Sequence, residues 1–293
     1  MKILRIAYTI FALLFGFSSF SQNTNFQWAK QFGGSGNDQG LSVSIDLAGN
    51  VYTTGCFSDT VDFDSGVGIY KLISSRYEDV FISKLDAKGN FLWAKQIGAG
   101  GGNGDIGRSI ITDALGDVYT TGYFEWTVDF NPGSGVFNLT SDGGRDVFVT
   151  KLDANGNFVW AERFGGAGND DCFAITVDSS NNIYTTGYFY NKVDFDPGND
   201  TFNLTSIGKW DVFISKINQQ GEFVWAKQFG GIGRYGMGNS IKSDALGNIY
   251  ITGEFDGTLD FNPGIDTFKL SSGGTHNAFV VKLNSDGNFY GQN

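Results

Sequence analysis

Residues 146–166 read DVFVTKLDANGNFVWAERFGG, and close copies stand at 79–97, at 211–231 and, shortened, at 277–293. A partial copy, FQWAKQFGG, begins at Phe26. Self-similarity at a fixed spacing marks a repeat architecture before any single residue is weighed. Inside the stretch, β-branched and aromatic residues run from Asp146 to Leu152 and from Asn157 to Phe164, which predicts two strands. Asp153, Ala154, Asn155 and Gly156 separate them, and an Asn-Gly pair tolerates the positive φ of a tight turn.

Other landmarks keep the same period. GNVYTTG at Gly49 returns as GDVYTTG at Gly116, NNIYTTG at Asn181 and GNIYITG at Gly247. VDFDSG at Val61 returns as VDFNPG at Val128, VDFDPG at Val193 and LDFNPG at Leu259. Trp28, Trp93, Trp160 and Trp225 form a further series, with Tyr290 in the last place, and every series steps by 65 to 67 residues. Within one period, Ser109 to Thr112 predicts a first strand and Val118 to Phe124 a second. An extra hairpin carrying VDFNPG and FNLTS follows, and then the two strands of the opening stretch. No segment has sustained helical periodicity with caps.

The fourth strand decides how these units stack. Phe158 and Trp160 point to one side, Val159 and Ala161 to the other, so both faces of the sheet are apolar. Sheets of that kind must be covered on both faces, and four-stranded antiparallel sheets repeated radially form a β-propeller. The expectation is an all-β propeller of four antiparallel blades of about 66 residues, with repeats at about 41–98, 108–165, 173–230 and 239–293. Strand 26–33 is expected to lie beside strand 277–283, completing the last blade and closing the ring without an exposed edge. The alternative is an arc, or a fragment, of a larger propeller.

At these residues the chain resembles the bacterial β-propeller repeat family often called SBBP repeats, through segments such as SIITDALGDVYTTGYF and the opening stretch. The resemblance covers nearly all of residues 22–293. It implies an exported surface or envelope protein, and it carries over no catalytic residue. The family name implies seven blades, whereas this chain has four repeats, each lengthened by the VDFNPG segment.

Export is also read from the chain's start. Lys2 and Arg5 precede an apolar run from Ile6 to Phe17, and Ser19-Phe20-Ser21 suits cleavage before Gln22, so residues 1–21 read as a signal peptide. The run is too short for a membrane span of about 20 residues. Residues 22–293 then form one propeller domain. Formal charge is −11, and −13 once Lys2 and Arg5 leave, with no basic run; nucleic acid is a poor partner. Cys56 replaces the Tyr of GYF and Cys172 falls in a loop of another repeat, so both read as unpaired thiols.

Antiparallel order puts the tight turns at one end and the long connections, with the glycine-rich links between repeats, at the other. Sequence diversity concentrates at that loop-rich end, where binding is expected. Its candidate residues are Asp38, Asp105 and Asp170 in the links, with Arg234 and Tyr235, which break the pattern of the last link. The VDFNPG series supplies oxygens at alternate positions: Asp62 and Asp64, Asp129 and Asn131, Asp194 and Asp196, Asp260 and Asn262. Calcium takes 6–8 oxygens, so these are candidate calcium ligands; local Asx turns are the simpler reading. His276 is the sole histidine and is expected at the rim. With no cofactor motif, the function expected is a non-enzymatic exported scaffold binding protein or glycan. The alternatives are a purely structural envelope component and a hydrolase or lyase with a central pocket.

Overall fold

A computed structural model describes residues 26–75, 77–98, 104–233 and 235–289. The proposed leader, Arg234 and Tyr290 lie outside the described residues. The described residues hold strands and turns and no helix. Repeat one contains β1 (Gln39–Ile45), β2 (Val51–Phe57), β3 (Thr60–Asp62), β4 (Lys71–Ile73), β5 (Asp79–Leu85) and β6 (Phe91–Ile97). Repeat two contains β7 (Ile106–Thr112), β8 (Val118–Asp129), β9 (Asn138–Leu152) and β10 (Phe158–Gly166). Repeat three contains β11 (Asp171–Val177), β12 (Ile183–Phe189), β13 (Lys192–Asp194), β14 (Asn203–Thr205), β15 (Asp211–Ile217) and β16 (Phe223–Ile232). Repeat four contains β17 (Gly236–Ser243), β18 (Ile249–Phe255), β19 (Thr258–Asp260), β20 (Lys269–Ser271) and β21 (Asn277–Leu283).

Each repeat builds one antiparallel sheet: β1-β2-β5-β6, β7-β8-β9-β10, β11-β12-β15-β16 and, with three strands, β17-β18-β21. The core lies between sheets, as two apolar faces require. One cluster joins Tyr52 and Ile82 of repeat one to Ile110 and Phe148 of repeat two. Its counterparts join Val149 to Ile175 and Ile214 to Ile241 across the next two junctions. Each fourth-strand tryptophan reaches over to the following repeat. Trp93, Trp160 and Trp225 donate their indole N–H to the carbonyls of Ala154 (3.3 Å), Gln219 (3.1 Å) and Ser285 (3.3 Å).

The VDFNPG segment turns out to be a plug. Phe130 is fully buried between Phe124 (5.1 Å) and Phe148 (5.2 Å), and Phe63, Phe195 and Phe261 repeat that trio. The hairpin that follows also straps neighbouring sheets. β13 pairs with β10 through Gly165↔Asp194 and Gly166↔Val193, and β19 pairs with β16 in the same way. Glycine is required there because a Cβ on Gly166 would run into the Lys192 carbonyl. Only the root of this hairpin sits at the loop-rich end. Its far side packs on the start of the fourth strand, Phe137 against Phe158 and Phe202 against Phe223, near the tight turns.

The closing strand is the main correction. Residues 26–33 do not lie beside 277–283. Gly33 bridges Asp62, Trp28 donates to the Ala87 carbonyl at 3.2 Å, and Phe32 packs 5.2 Å from Phe63 and 5.3 Å from Phe81. β10 and β16 make contacts of the same kind with the repeats after them: Gly165↔Asp194 and Gly230↔Asp260, Trp160 to Gln219 and Trp225 to Ser285, Phe164 against Phe195 and Phe229 against Phe261. The segment therefore follows its aromatic face, whose burial outweighs a ladder of edge hydrogen bonds. The four sheets are not closed into a ring, and the outer faces of the first and last sheets stay exposed. Cys56 and Cys172 are both buried free thiols, and Cys172 lies on β11 rather than in a loop.

Candidate binding site at the loop-rich end

The tight turns are nearly identical from repeat to repeat. Asp46, Asp86, Asp113, Asp153, Asp178 and Asp244 each accept the backbone N–H groups two and four residues on. Asn218 and Asn284 do the same in the remaining two turns. At the opposite end the chemistry changes with every repeat. The residue before the DVF motif is Glu78, Arg145, Trp210 or His276. The residue before the last Phe of the second strand is Cys56, Tyr123, Tyr188 or Glu254. On the first strand, Leu41, Arg108, Phe173 and Asn239 are equivalent.

Folding brings these positions into one row. The Arg145 guanidinium lies 4.2 Å over the Tyr123 ring and pairs with Glu125 at 3.3 Å. Arg108 stands 5.4 Å over both Tyr123 and Phe173 and pairs with Asp171 at 3.0 Å. Phe173 meets Tyr188 at 5.8 Å, Tyr188 stacks on Trp210 at 4.9 Å, and Trp210 meets Tyr235 at 5.0 Å. Tyr235 stacks on His276 at 5.5 Å, and His276 Nδ1 is 4.0 Å from Glu254. The Lys209 ammonium covers Trp210 at 4.9 Å. The row runs across repeats two, three and four without a break.

Its charged base is buried. Asp171 is 1% exposed, and burial pushes its carboxyl up to about 6 while Arg108 pulls it back. Asp171 Oδ1 and Arg108 Nε have no hydrogen-bond partner among the described residues, so the pair is held by one bond where two are available. A buried pair of this kind contributes little net stability but fixes geometry, here the angle at which Arg108 faces the rings.

Of the residues expected to bind, Tyr235 stands in this row, between Trp210 and His276. Asp38, Asp105 and Asp170 hold the links instead. Asp38 accepts from Gly34 (2.7 Å) and Ser58, Asp105 from Glu125, and Asp170 from Gly166 (3.0 Å) and Tyr190 (2.9 Å). Burial pushes Asp170 up to about 7. The candidate calcium residues are likewise occupied. Asp62, Asp129, Asp194 and Asp260 each accept from the residue two on and from the start of the hairpin's return. Asp64, Asn131, Asp196 and Asn262 accept from the glycine two on. No three His, Cys, Asp or Glu side chains are grouped to hold a metal among the described residues.

A cavity of about 350 Å³ lies at the outer rim between the third repeat's hairpin loop and its tight turn, lined by Glu162, Asp196, Asp200 and Glu222. Lys30 stands at Glu162's place in the matching cavity of repeat one, and Lys95, its equivalent on β6, lines a cavity beside the hairpin loop of repeat two. Burial, and then the Asp196 charge, push Glu162 up to about 7.

A model of the SBBP beta-propeller repeat matches residues 27–55, 92–123 and 159–188. Three stretches of the chain thus match the SBBP beta-propeller repeat. Each matched segment begins on a fourth-strand sequence and ends on the second strand of the next sheet, so the sequence unit straddles a junction. The uncharacterized WD repeat-containing protein L264 of Acanthamoeba polyphaga mimivirus is 26% identical over 266 residues, 78% of this chain and 19% of that protein. The regulatory protein FlaEY of Caulobacter vibrioides is 24% identical over 209 residues, 70% of this chain and 20% of that protein. The chain spans about a fifth of the length of these relatives. Among solved structures, a protein of unknown function from Bacteroides caccae aligns over 86% of this chain and 80% of that one, at TM-score 0.34 and 10% identity. BamB from Moraxella catarrhalis aligns over 89% and 97%, at TM-score 0.21 and 16% identity. No helix among the described residues is long and apolar enough to cross a membrane.

Proposed function

We propose that the protein is an exported, non-enzymatic propeller scaffold, one domain over residues 22–293, that binds a protein or a glycan at the cell surface through its loop-rich end. The observation that carries this reading is the row from Arg145 to His276. Repetition keeps a residue wherever the scaffold needs it, and along this row equivalent positions hold unlike side chains that touch one another. Trp, Tyr and Arg are also the side chains on which binding energy concentrates, because each offers a large rigid face beside a polar edge. His276, stacked on Tyr235 and 4.0 Å from Glu254, adds a further polar edge to this row, which supports a role in contact with a partner.

The test is a glycan array and a pull-down from envelope extract, run with the purified chain and with Trp210→Ala. A ligand should be lost by about tenfold or more in the variant. It should be retained by Lys88→Ala at the tight-turn end. A ligand that both variants bind equally would move the site elsewhere, and no ligand at all would favour the purely structural role.

A further inference from the structure

The two ends of the row of sheets are complementary in the way its internal junctions are. Val43 is 62% exposed, whereas Ile110, Ile175 and Ile241, its equivalents, are 5%, 3% and 1% exposed. Val280 is 75% exposed, whereas Ile82, Val149 and Ile214 are fully buried. Tyr250 is 37% exposed, whereas Tyr52, Tyr119 and Tyr184 are fully buried. In every internal junction the equivalent of Val280 and the equivalent of Val43 belong to one cluster: Ile82 with Ile110, Val149 with Ile175, Ile214 with Ile241.

The outer strand tells the same story. β21 ends a three-stranded sheet, with Leu283↔Phe289 as the one bridge described beyond it. Residues 26–33, at the other end, carry a fourth-strand sequence and dock on repeat one as a fourth strand should. Trp28 covers Gly89 as Trp93 covers Gly156. In two internal junctions one turn carbonyl receives a tryptophan and a lysine together: Ala154 from Trp93 and Lys84, Ser285 from Trp225 and Lys216. At Ala87 the indole comes from Trp28, and the equivalent lysine is Lys282, on repeat four.

We infer that repeat four of one chain receives repeat one of a second copy, whose residues 28–33 continue along the first chain's β21 from the rung that Phe289 makes with Leu283. Such a head-to-tail contact closes into a ring or continues as a filament. Two arcs of four sheets make eight, within the range of closed propellers, and leave no sheet face or edge uncovered.

Analytical ultracentrifugation of the full chain should show a mass of two copies or more. Val43→Asp and Val280→Asp each place a charge in the junction and should raise the apparent Kd by about tenfold or more. Both sites are exposed in a single chain, so circular dichroism should be unchanged. A second arm uses Val43→Cys and Val280→Cys with a short bis-maleimide; Cys56 and Cys172 are buried and their thiols are pushed up to about 11 and about 12. Neither variant should crosslink alone, and mixing them should give covalent dimers. A single-chain mass at every concentration would overturn the assembly. So would a chain carrying both substitutions whose two introduced thiols link to each other within that one chain.

Discussion

Aspartates at the two ends of these sheets are held in opposite ways. At the tight-turn end, Asp86 sits below the ordinary carboxylate range because the Asn90 backbone N–H and side chain both donate to it. Burial works against ionisation of Asp153, but the Asn157 backbone and side chain and the Asn155 N–H outweigh it. At the loop-rich end, burial wins. It raises Asp79 and Asp211, and takes Asp146 to about 6 although Arg163 donates to it. The carboxylates of Asp86 and Asp153 are satisfied by their own neighbours in sequence. Asp79, Asp146 and Asp211 are instead enclosed by the fourth strand and the hairpin return of their own repeats, with Gln96, Arg163 and Gln228 donating to them. The turn bonds are made by adjacent residues and leave the carboxylate ionised, whereas the bonds to the enclosed aspartates do not offset their burial.

The largest effect expected from a single change is at the clamp between repeats. Trp160 donates to Gln219 of the next repeat and packs on Tyr119, so Trp160→Ala loses ring burial and leaves a cavity. The cost should be about 3–5 kcal/mol in chemical denaturation. A loss below about 1 kcal/mol would mean that the sheets stack without their tryptophans, and the comparison between ends would lose its frame.

A smaller effect separates the two ends by pH. Asp146 and Asp171 titrate near 6 and Asp170 near 7 in the folded chain, against about 4 in an unfolded one. Between those values the native state holds protons that the unfolded chain has released. Their stabilising contribution is therefore complete below about pH 4 and is lost as pH rises through 6 to 7. Asp46, Asp86, Asp153, Asp178 and Asp244, all held below the ordinary carboxylate range, contribute only above about pH 4 and are already ionised in that window. Tm should fall by on the order of 5 °C from pH 5 to pH 8, and Asp170→Asn should flatten the slope. A Tm that climbs steadily over the same range would show that the enclosed carboxylates are solvated after all.

The tight turns were legible because each is set by five consecutive residues, and the sheets because four series of landmarks share one period. The path of residues 26–33 was not. FQWAKQFGG announces a fourth strand but says nothing of whether that strand joins the edge of β21 or lies on the face of repeat one. The choice depends on Phe32 reaching Phe63 and Phe81, a contact between residues far apart in sequence. Tyr235 stood out because it breaks a repeated link. Tyr123, Phe173, Tyr188 and Trp210 were passed over, although aligning the repeats exposes them as positions of unlike chemistry. Variation reads as tolerance until the fold sets the varied side chains in contact. The links invited the opposite error, since Asp38, Asp105 and Asp170 look like loop acids and are committed to backbone N–H groups.

The smallest effect sharpens the comparison most directly. Asp153 accepts from Asn155 N (2.8 Å), Asn157 N (2.8 Å) and Asn157 Nδ2 (2.8 Å) in an exposed turn. Asp153→Ala removes all three bonds, but water reaches the freed N–H groups, so the loss should be about 1 kcal/mol at pH 7. Because the carboxyl is held below its ordinary range, that contribution is present above about pH 4 and disappears as pH falls through the folded value. Wild type and variant should therefore differ by a few °C at pH 7, about 3 °C on this scale, and converge near pH 2.5. A gap that persists in acid would assign the turn's stability to the shape of its backbone rather than to the charge of Asp153.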